Sequence, residues 1–312
     1  MKIGIPQALY FFKYGRVWEN FFKRLGCEVI LSPPTNKKIL TEGVELAVEE
    51  VCIPLKVFYG HCRSLIGKCD FVFIPRYISL IKNTYTCPRF LVLPDVTRFT
   101  VKNLPILTIS IKGKERPGML QFLLFGIKMR KKASLKDMKN FVNVAKMQRI
   151  FNSCQDEEIE EKKKLKDKFS SLLERDNLKV MLVGHPYNLK DNYINKDILE
   201  KLKTLDVTVI TPDEVPSFLI QKELKELPFI YWSEEQNIAG SAYVGLKDSR
   251  INGLIIVSSF GCGPDSLVAE QIVRDAQKFS KPVIHLFFDE NTTDINIQTR
   301  LEAFVDMLRR KK

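Results

Sequence analysis

The chain has 312 residues, 45% of them hydrophobic and 28% charged, which is enough to bury more than one core and too apolar for disorder. Its 49 Lys and Arg exceed its 37 Asp and Glu, for a formal net charge of +12 that suits an acidic redox protein, an anionic cofactor or another acidic partner. No zinc-finger spacing and no aromatic-plus-basic signature accompanies that charge, so nucleic acid is not the expected partner, and no apolar run approaches the roughly 20 residues of a membrane span.

Met1 to Pro6 runs directly into a strand over 2–6 and lacks the apolar core and cleavage site of a secretion signal, so the expected location is the cytoplasm. Large apolar residues at three- and four-residue spacing predict a helix over Tyr10 to Leu25, and Cys27 to Leu31 predicts a second strand, closed by Ser32-Pro33-Pro34. A helix from about Lys37 to Glu50 and a strand over Phe71 to Pro75 follow. Residues 117 to 174 are rich in Lys, Glu, Leu and Met, and DEEIEEKKKLKDKF at 156 to 169 offers charge pairs four residues apart, as in a solvated helical connector. The alternation then resumes with a strand over Lys179 to Val183, a helix over Ile194 to Leu205, a strand over Val207 to Ile210 and another over Gly253 to Val257. Strand, helix and strand in this order predict an α/β fold with parallel sheets. Two α/β domains are expected, at 1–116 and 176–312, with the helical connector at 117–175.

Seven cysteines, Cys27, Cys52, Cys62, Cys69, Cys87, Cys154 and Cys262, are an odd number, and a disulfide framework is not expected. Three of them have a proline close behind: Cys52-Ile53-Pro54, Cys87-Pro88 and Cys262-Gly263-Pro264. Cys262 stands in SSFGCGPDSLVAE (258–270), where a strand ends and a helix begins, the place at which open parallel sheets bind ligands. Gly261 and Gly263 permit tight backbone and close approach to a bulky group, and Pro264 fits the first turn of a helix whose amides favour a thiolate. The three cysteines are far apart in sequence, unlike those of zinc ribbons and ferredoxins, so the residues alone leave a shared metal site and separate structural thiols both open.

The stretches GIPQALYFFKYGRVWENFFKRLGCEVILSPPTNKKIL, EEVCIPLKVFYGH, FIPRY with YTCPRFLVLPD, SSFGCGPDSLVAE and TRLEAFVDML, in this order, resemble the acyl-CoA dehydratase activase-related proteins. These are relatives of the 2-hydroxyacyl-CoA dehydratase subunits, and the resemblance spans nearly the whole chain. It implies two flavodoxin- or Rossmann-like three-layer domains and an oxygen-sensitive [4Fe-4S] cluster held by Cys52, Cys87 and Cys262, with one iron open. It also implies a low-potential electron-transfer or reductase component, or a dehydratase-like lyase component, in an anaerobic metabolism. The expected partners are an ATP-dependent activator or acidic electron donor, an acyl-CoA or small reducible substrate, and a second copy or related subunit in a dimer. The chain carries no Walker loop and no GIDxGSTT-type phosphate motif, so it is not expected to be the ATPase itself. FDENTTDINIQTRLEAF (288–304) departs from the His- and Gly-containing segment expected there, and leaves Glu290 as the acidic group to carry forward.

Around the cysteines, His61 in YGHC is a candidate hydrogen-bond donor to the cluster or its fourth ligand, against a structural role. His185 in GHPYN is a candidate cleft group, and Tyr85, Ser258 and Ser259 are candidate hydrogen-bond partners of sulfur or substrate. Arg76 and Arg89 are candidates for offsetting cluster charge or binding a CoA phosphate, and His285 reads as buried. Two rival functions remain: acyl transfer by Cys262 as nucleophile with a nearby histidine base, and a non-catalytic cluster carrier or small-ligand binder.

Overall fold

A computed structural model describes residues 1–112, 117–132 and 141–311. Residues 113–116 and 133–140, at the first expected domain boundary and inside the expected connector, lie outside the described residues. The chain divides into two compact units, Met1–Glu160 and Glu161–Lys312.

The first unit contains β1 (Lys2–Ile5), β2 (Glu28–Leu31), β3 (Phe71–Phe73), β4 (Arg76–Ser79), β5 (Ile106–Leu107) and β6 (Ser110–Lys112). Four of these form a parallel sheet in the order β2-β1-β3-β5, and β4 pairs with β6, also in parallel. The amphipathic helix Phe11–Arg24 buries Val17, Trp18, Phe21 and Phe22 on one face. Trp18 meets the rings of Phe73 and Phe151 at centroid distances of 4.5 and 4.8 Å, and its indole N–H donates to the Tyr77 hydroxyl at 2.9 Å. Each large side chain so buried contributes about 1.5–3 kcal/mol, and the hydrogen bond leaves the indole nitrogen satisfied.

The second unit contains β7 (Leu178–Gly184), β8 (Val207–Ile210), β9 (Gly253–Ser259) and β10 (Val283–Phe288), all parallel, in the order β10-β9-β7-β8. The central strands β7 and β9 are buried at every position, which explains why they read as unbroken apolar runs. In both units the second strand lies on one side of the first and the third strand on the other. The reversal falls between β1 and β3 in one unit and between β7 and β9 in the other, and it opens a crevice beyond the carboxyl ends of those strands.

The architecture is the expected α/β one, and the differences lie at element ends. The helix expected to reach Glu50 stops at Leu46, and a new helix, Ile53–Ser64, begins where Pro54 can occupy the first turn. A proline deeper in a continuous helix would break it. The helix expected over 194–205 is two pieces, Asn192–Asn195 and Ile198–Thr204, separated by Lys196 and Asp197 in left-handed conformation. The Asn195 amide donates to the carbonyls of Asn188 and Leu189 at 3.0 and 2.8 Å and pins the break. Among the described residues no helix is long and apolar enough to cross a membrane.

Gly184, the last residue of β7, lies opposite Val257 in β9, and a Cβ there would stand 2.5 Å from the Val257 carbonyl oxygen. That close approach draws together the two strand ends that carry the site described next. Gly184→Ala should therefore cost about 1–3 kcal/mol, seen as a lower urea midpoint with an unchanged slope.

Candidate functional site

Each proline-followed cysteine caps a helix. Cys52 precedes Ile53–Ser64 with Pro54 in the first turn, Cys87 precedes the single turn Pro88–Leu91, and Cys262 precedes Gly263–Ala276 with Pro264 in the first turn. In each case the cysteine carbonyl accepts the first helical hydrogen bonds, from Leu55 and Lys56, from Phe90 and Leu91, and from Ser266. The thiol is left at the end of the helix where unpaired amides and the positive end of the dipole gather. All three cysteines are half-buried, and none of the seven is in a disulfide. By contrast, burial pushes the thiols of Cys62, Cys69 and Cys154 upward, Cys62 most of all, and this keeps them protonated.

Within the first unit the Cys52 and Cys87 segments are tied together, because the Arg89 guanidinium donates to the Glu50 carbonyl at 3.0 Å. Arg76 is engaged by the Asp95 carboxylate. Tyr85 is 55% exposed on the loop before Cys87. His61 lies in the helix that Cys52 caps, but both its ring nitrogens are occupied, Nδ1 by the Ser32 hydroxyl at 2.8 Å and Nε2 by the Thr35 hydroxyl at 3.0 Å. Those bonds tie His61 to the Ser32 and Thr35 side chains, and burial lowers its pKa to about 4. The crevice between β1 and β3 is a concavity lined mainly by apolar and aromatic residues, including Pro6, Tyr10, Phe58, Pro75 and Phe90.

The crevice of the second unit is chemically different. His185 follows β7 directly and caps the short helix Pro186–Lys190, and Cys262 follows β9 after Gly261, whose φ of +79° makes the turn. The side-chain Sγ of Cys262 lies 3.9 Å from His185 Nε2. Asp265, three residues after Cys262 in the same first turn, is wholly buried, and neither of its carboxylate oxygens has a hydrogen bond of ordinary geometry. One ligand atom each from His185, Cys262 and Asp265 lie within 4.8 Å of one another, so the three could hold a metal ion. Glu235, in the first turn of the helix Ser233–Lys247 and 2% exposed, brings Oε1 to 3.5 Å from the same His185 Nε2. The His185 ring stacks on Tyr187 at 4.8 Å, and its Nδ1 is buried without a hydrogen-bond partner.

Burial alone would lower the pKa of His185, but contact with Cys262 and Glu235 and the charges of Asp265 and Glu235 outweigh it and hold the imidazole proton well above the ordinary range. Burial raises the Asp265 carboxyl, opposed by the charge of His185 and the nearby Ser258 hydroxyl. Ser259, expected beside the cluster, donates to Asn188 at 2.8 Å and braces β9 against the helix after β7, and Ser258 meets His285 Nε2 at 2.8 Å. A Cβ on Gly263 would face open space, so this glycine leaves room beside Cys262 without being needed for its backbone. The structure thus brings Cys262 and His185 together and adds Asp265 and Glu235, two carboxylates that the sequence reading did not single out as site groups. Their only sequence signal, an acidic residue in a first helical turn, is shared by very many ordinary helices.

The family described as CoA enzyme activase uncharacterised domain matches residues 2–215. No curated protein matches the chain. Among solved structures, one described as "Structure of a FpvC mutant from pseudomonas aeruginosa" is similar over 99% of this chain and 100% of that one, at 14% identity and a TM-score of 0.26, too low to support an argument.

His61 makes a pH prediction. With its pKa depressed from 6.5 to about 4, the unfolded chain binds the proton first as pH falls, so stability is full above about 6.5 and is lost as pH drops toward 4. Its share is on the order of 3 kcal/mol. Urea midpoints measured from pH 7 to pH 4 should fall less steeply in His61→Gln than in the parent protein.

Proposed function

The chain belongs to the CoA enzyme activase uncharacterised-domain family, and on that premise we propose that it is an iron–sulfur electron-transfer or reductase component of a 2-hydroxyacyl-CoA dehydratase-type system. Cys52, Cys87 and Cys262 would supply thiolates to a [4Fe-4S] cluster, and an ATP-dependent activator would deliver the electron. The observation that carries this reading is the repeated construction at those three residues: a half-buried cysteine capping a helix that opens with proline. Of the other four cysteines, two are wholly or nearly wholly buried hydrophobes, Cys62 and Cys154, and none is followed so closely by proline.

The donor chemistry at Cys262 fits a sulfur-ligated group. First-turn amides and the His185 ring nitrogen stand near Sγ, and hydrogen bonds to sulfur are among the features that set a cluster's potential. The bound cluster would supply one-electron transfer at low potential. The residues of the chain would supply the rest: the caps hold the thiolates, His185 keeps a proton next to one of them, and the buried strand ends limit water. A net charge of +12 favours docking of an acidic donor and attraction of the CoA phosphates.

The contact between Cys262 and His185 also raises the thiol-nucleophile reading, but the geometry lacks its other half. A nucleophile–base–acid array needs the orienting carboxylate on the imidazole nitrogen remote from the nucleophile. Here Glu235 and Cys262 both approach Nε2, and Nδ1 has no partner.

Iron, acid-labile sulfide and EPR spectra of anaerobically purified protein test the proposal. About four irons per chain or per dimer are expected, lost in Cys52→Ser, Cys87→Ser and Cys262→Ser alike. Protein that stays iron-free after anaerobic reconstitution would overturn it, and a cluster with no reduction of any acyl-CoA would favour the carrier role.

A further inference from the structure

We propose that the second unit contains a self-sufficient site for a single divalent transition-metal ion, ligated by Cys262, His185 and Asp265, which is occupied when the protein carries no cluster. The proposal goes beyond the cluster reading, since it needs neither Cys52 nor Cys87, and it shares only Cys262 with it.

Two features of the crevice support it. The first is distance. Tetrahedral zinc with a thiolate and an imidazole puts sulfur and nitrogen roughly 3.6 Å apart. Cys262 Sγ and His185 Nε2 are 3.9 Å apart, and the Asp265 carboxylate lies within 4.8 Å of both ligand groups, so small side-chain movements complete the set. The second is the state of Asp265. A carboxylate with no exposed surface and no hydrogen bond of ordinary geometry to either oxygen is costly to bury, and a cation between it and Cys262 removes that cost. Asp265 is also not consumed by capping. The Cys262 amide, which a first-turn acid would ordinarily accept from, donates instead to the Ser259 carbonyl at 3.1 Å.

One sulfur, one nitrogen and one oxygen donor select zinc, cobalt or ferrous ions over magnesium or calcium. Three protein ligands leave a further coordination position.

The test uses the full chain carrying Cys52→Ser and Cys87→Ser, stripped of metal and titrated with Co²⁺ without oxygen. One Co²⁺ per chain is expected, with thiolate-to-cobalt charge-transfer absorption that Zn²⁺ abolishes by displacement. Adding Cys262→Ser should remove that absorption. Adding Asp265→Asn or His185→Gln should weaken Co²⁺ binding by about 10- to 100-fold or more, with circular dichroism confirming the fold. Zn²⁺ should also raise the thermal midpoint of the double variant and leave that of the Cys262→Ser form unchanged. Absence of the charge-transfer band, or a Co²⁺ affinity indifferent to both Asp265→Asn and His185→Gln, overturns the proposal. The cluster reading is judged separately, on iron and sulfide in the unaltered chain, so either can fail while the other stands.

Discussion

Parallel pairing is the constraint on which the rest of both units depends. Two parallel strands cannot be joined by a tight turn, so every strand must feed a crossover, usually a helix, before the chain can return. The carboxyl ends of the strands then collect loops and helix N-termini, and a reversal of strand order across the sheet leaves a crevice among them. Cys262 and His185 stand at the ends of β9 and β7 for this reason. They are 77 residues apart in sequence and 3.9 Å apart in space because two adjacent strands end side by side there.

The two reversals have been put to different uses. In the first unit the crevice is a concavity lined by Tyr10, Phe58, Phe90 and other mainly apolar groups. In the second, His185, Asp265 and Glu235 are all buried, and Asp265 and Glu235 each have an oxygen without a hydrogen bond of ordinary geometry. Taking such groups out of water costs several kcal/mol per ion unless they are paired. The surface ion pairs of this protein, Arg24 with Glu157 or Lys247 with Glu226, carry no comparable penalty and signal no site. Asp265 differs from the other buried polar groups without partners in standing with a thiol and an imidazole close enough to share a cation, an arrangement better explained by binding than by folding.

Much of this was legible in the sequence because it depends on periodicity. The short apolar runs over Lys179–Val183 and Gly253–Val257 lie within the central strands Leu178–Gly184 and Gly253–Ser259, and the spacing of Val17, Trp18, Phe21 and Phe22 defines one helix face. The Cys262 cap was legible because Pro264 suits a first helical turn, whereas the helices that begin after Cys52 and Cys87 were not among the expected elements. The break at Lys196 and Asp197 was not legible, since it depends on a side-chain amide reaching carbonyls six and seven residues back. His61 was ambiguous for a related reason. The helix Ile53–Ser64 is buried from Ile53 through Cys62, so it has no polar face against which an inward histidine could be recognised. Glu235 was invisible because only the tertiary fold brings its helix to β7.

The seven cysteines show how environment, more than residue type, decides chemistry. Burial raises Cys62, Cys69 and Cys154 and makes them poor ligands and poor nucleophiles at neutral pH. Cys52, Cys87 and Cys262 stand where the backbone itself presents positive charge and where proline has removed one competing amide. At Cys262 the same first turn also supplies Asp265, so a single helical turn presents both sulfur and oxygen to whatever cation the crevice accepts, with His185 already beside them.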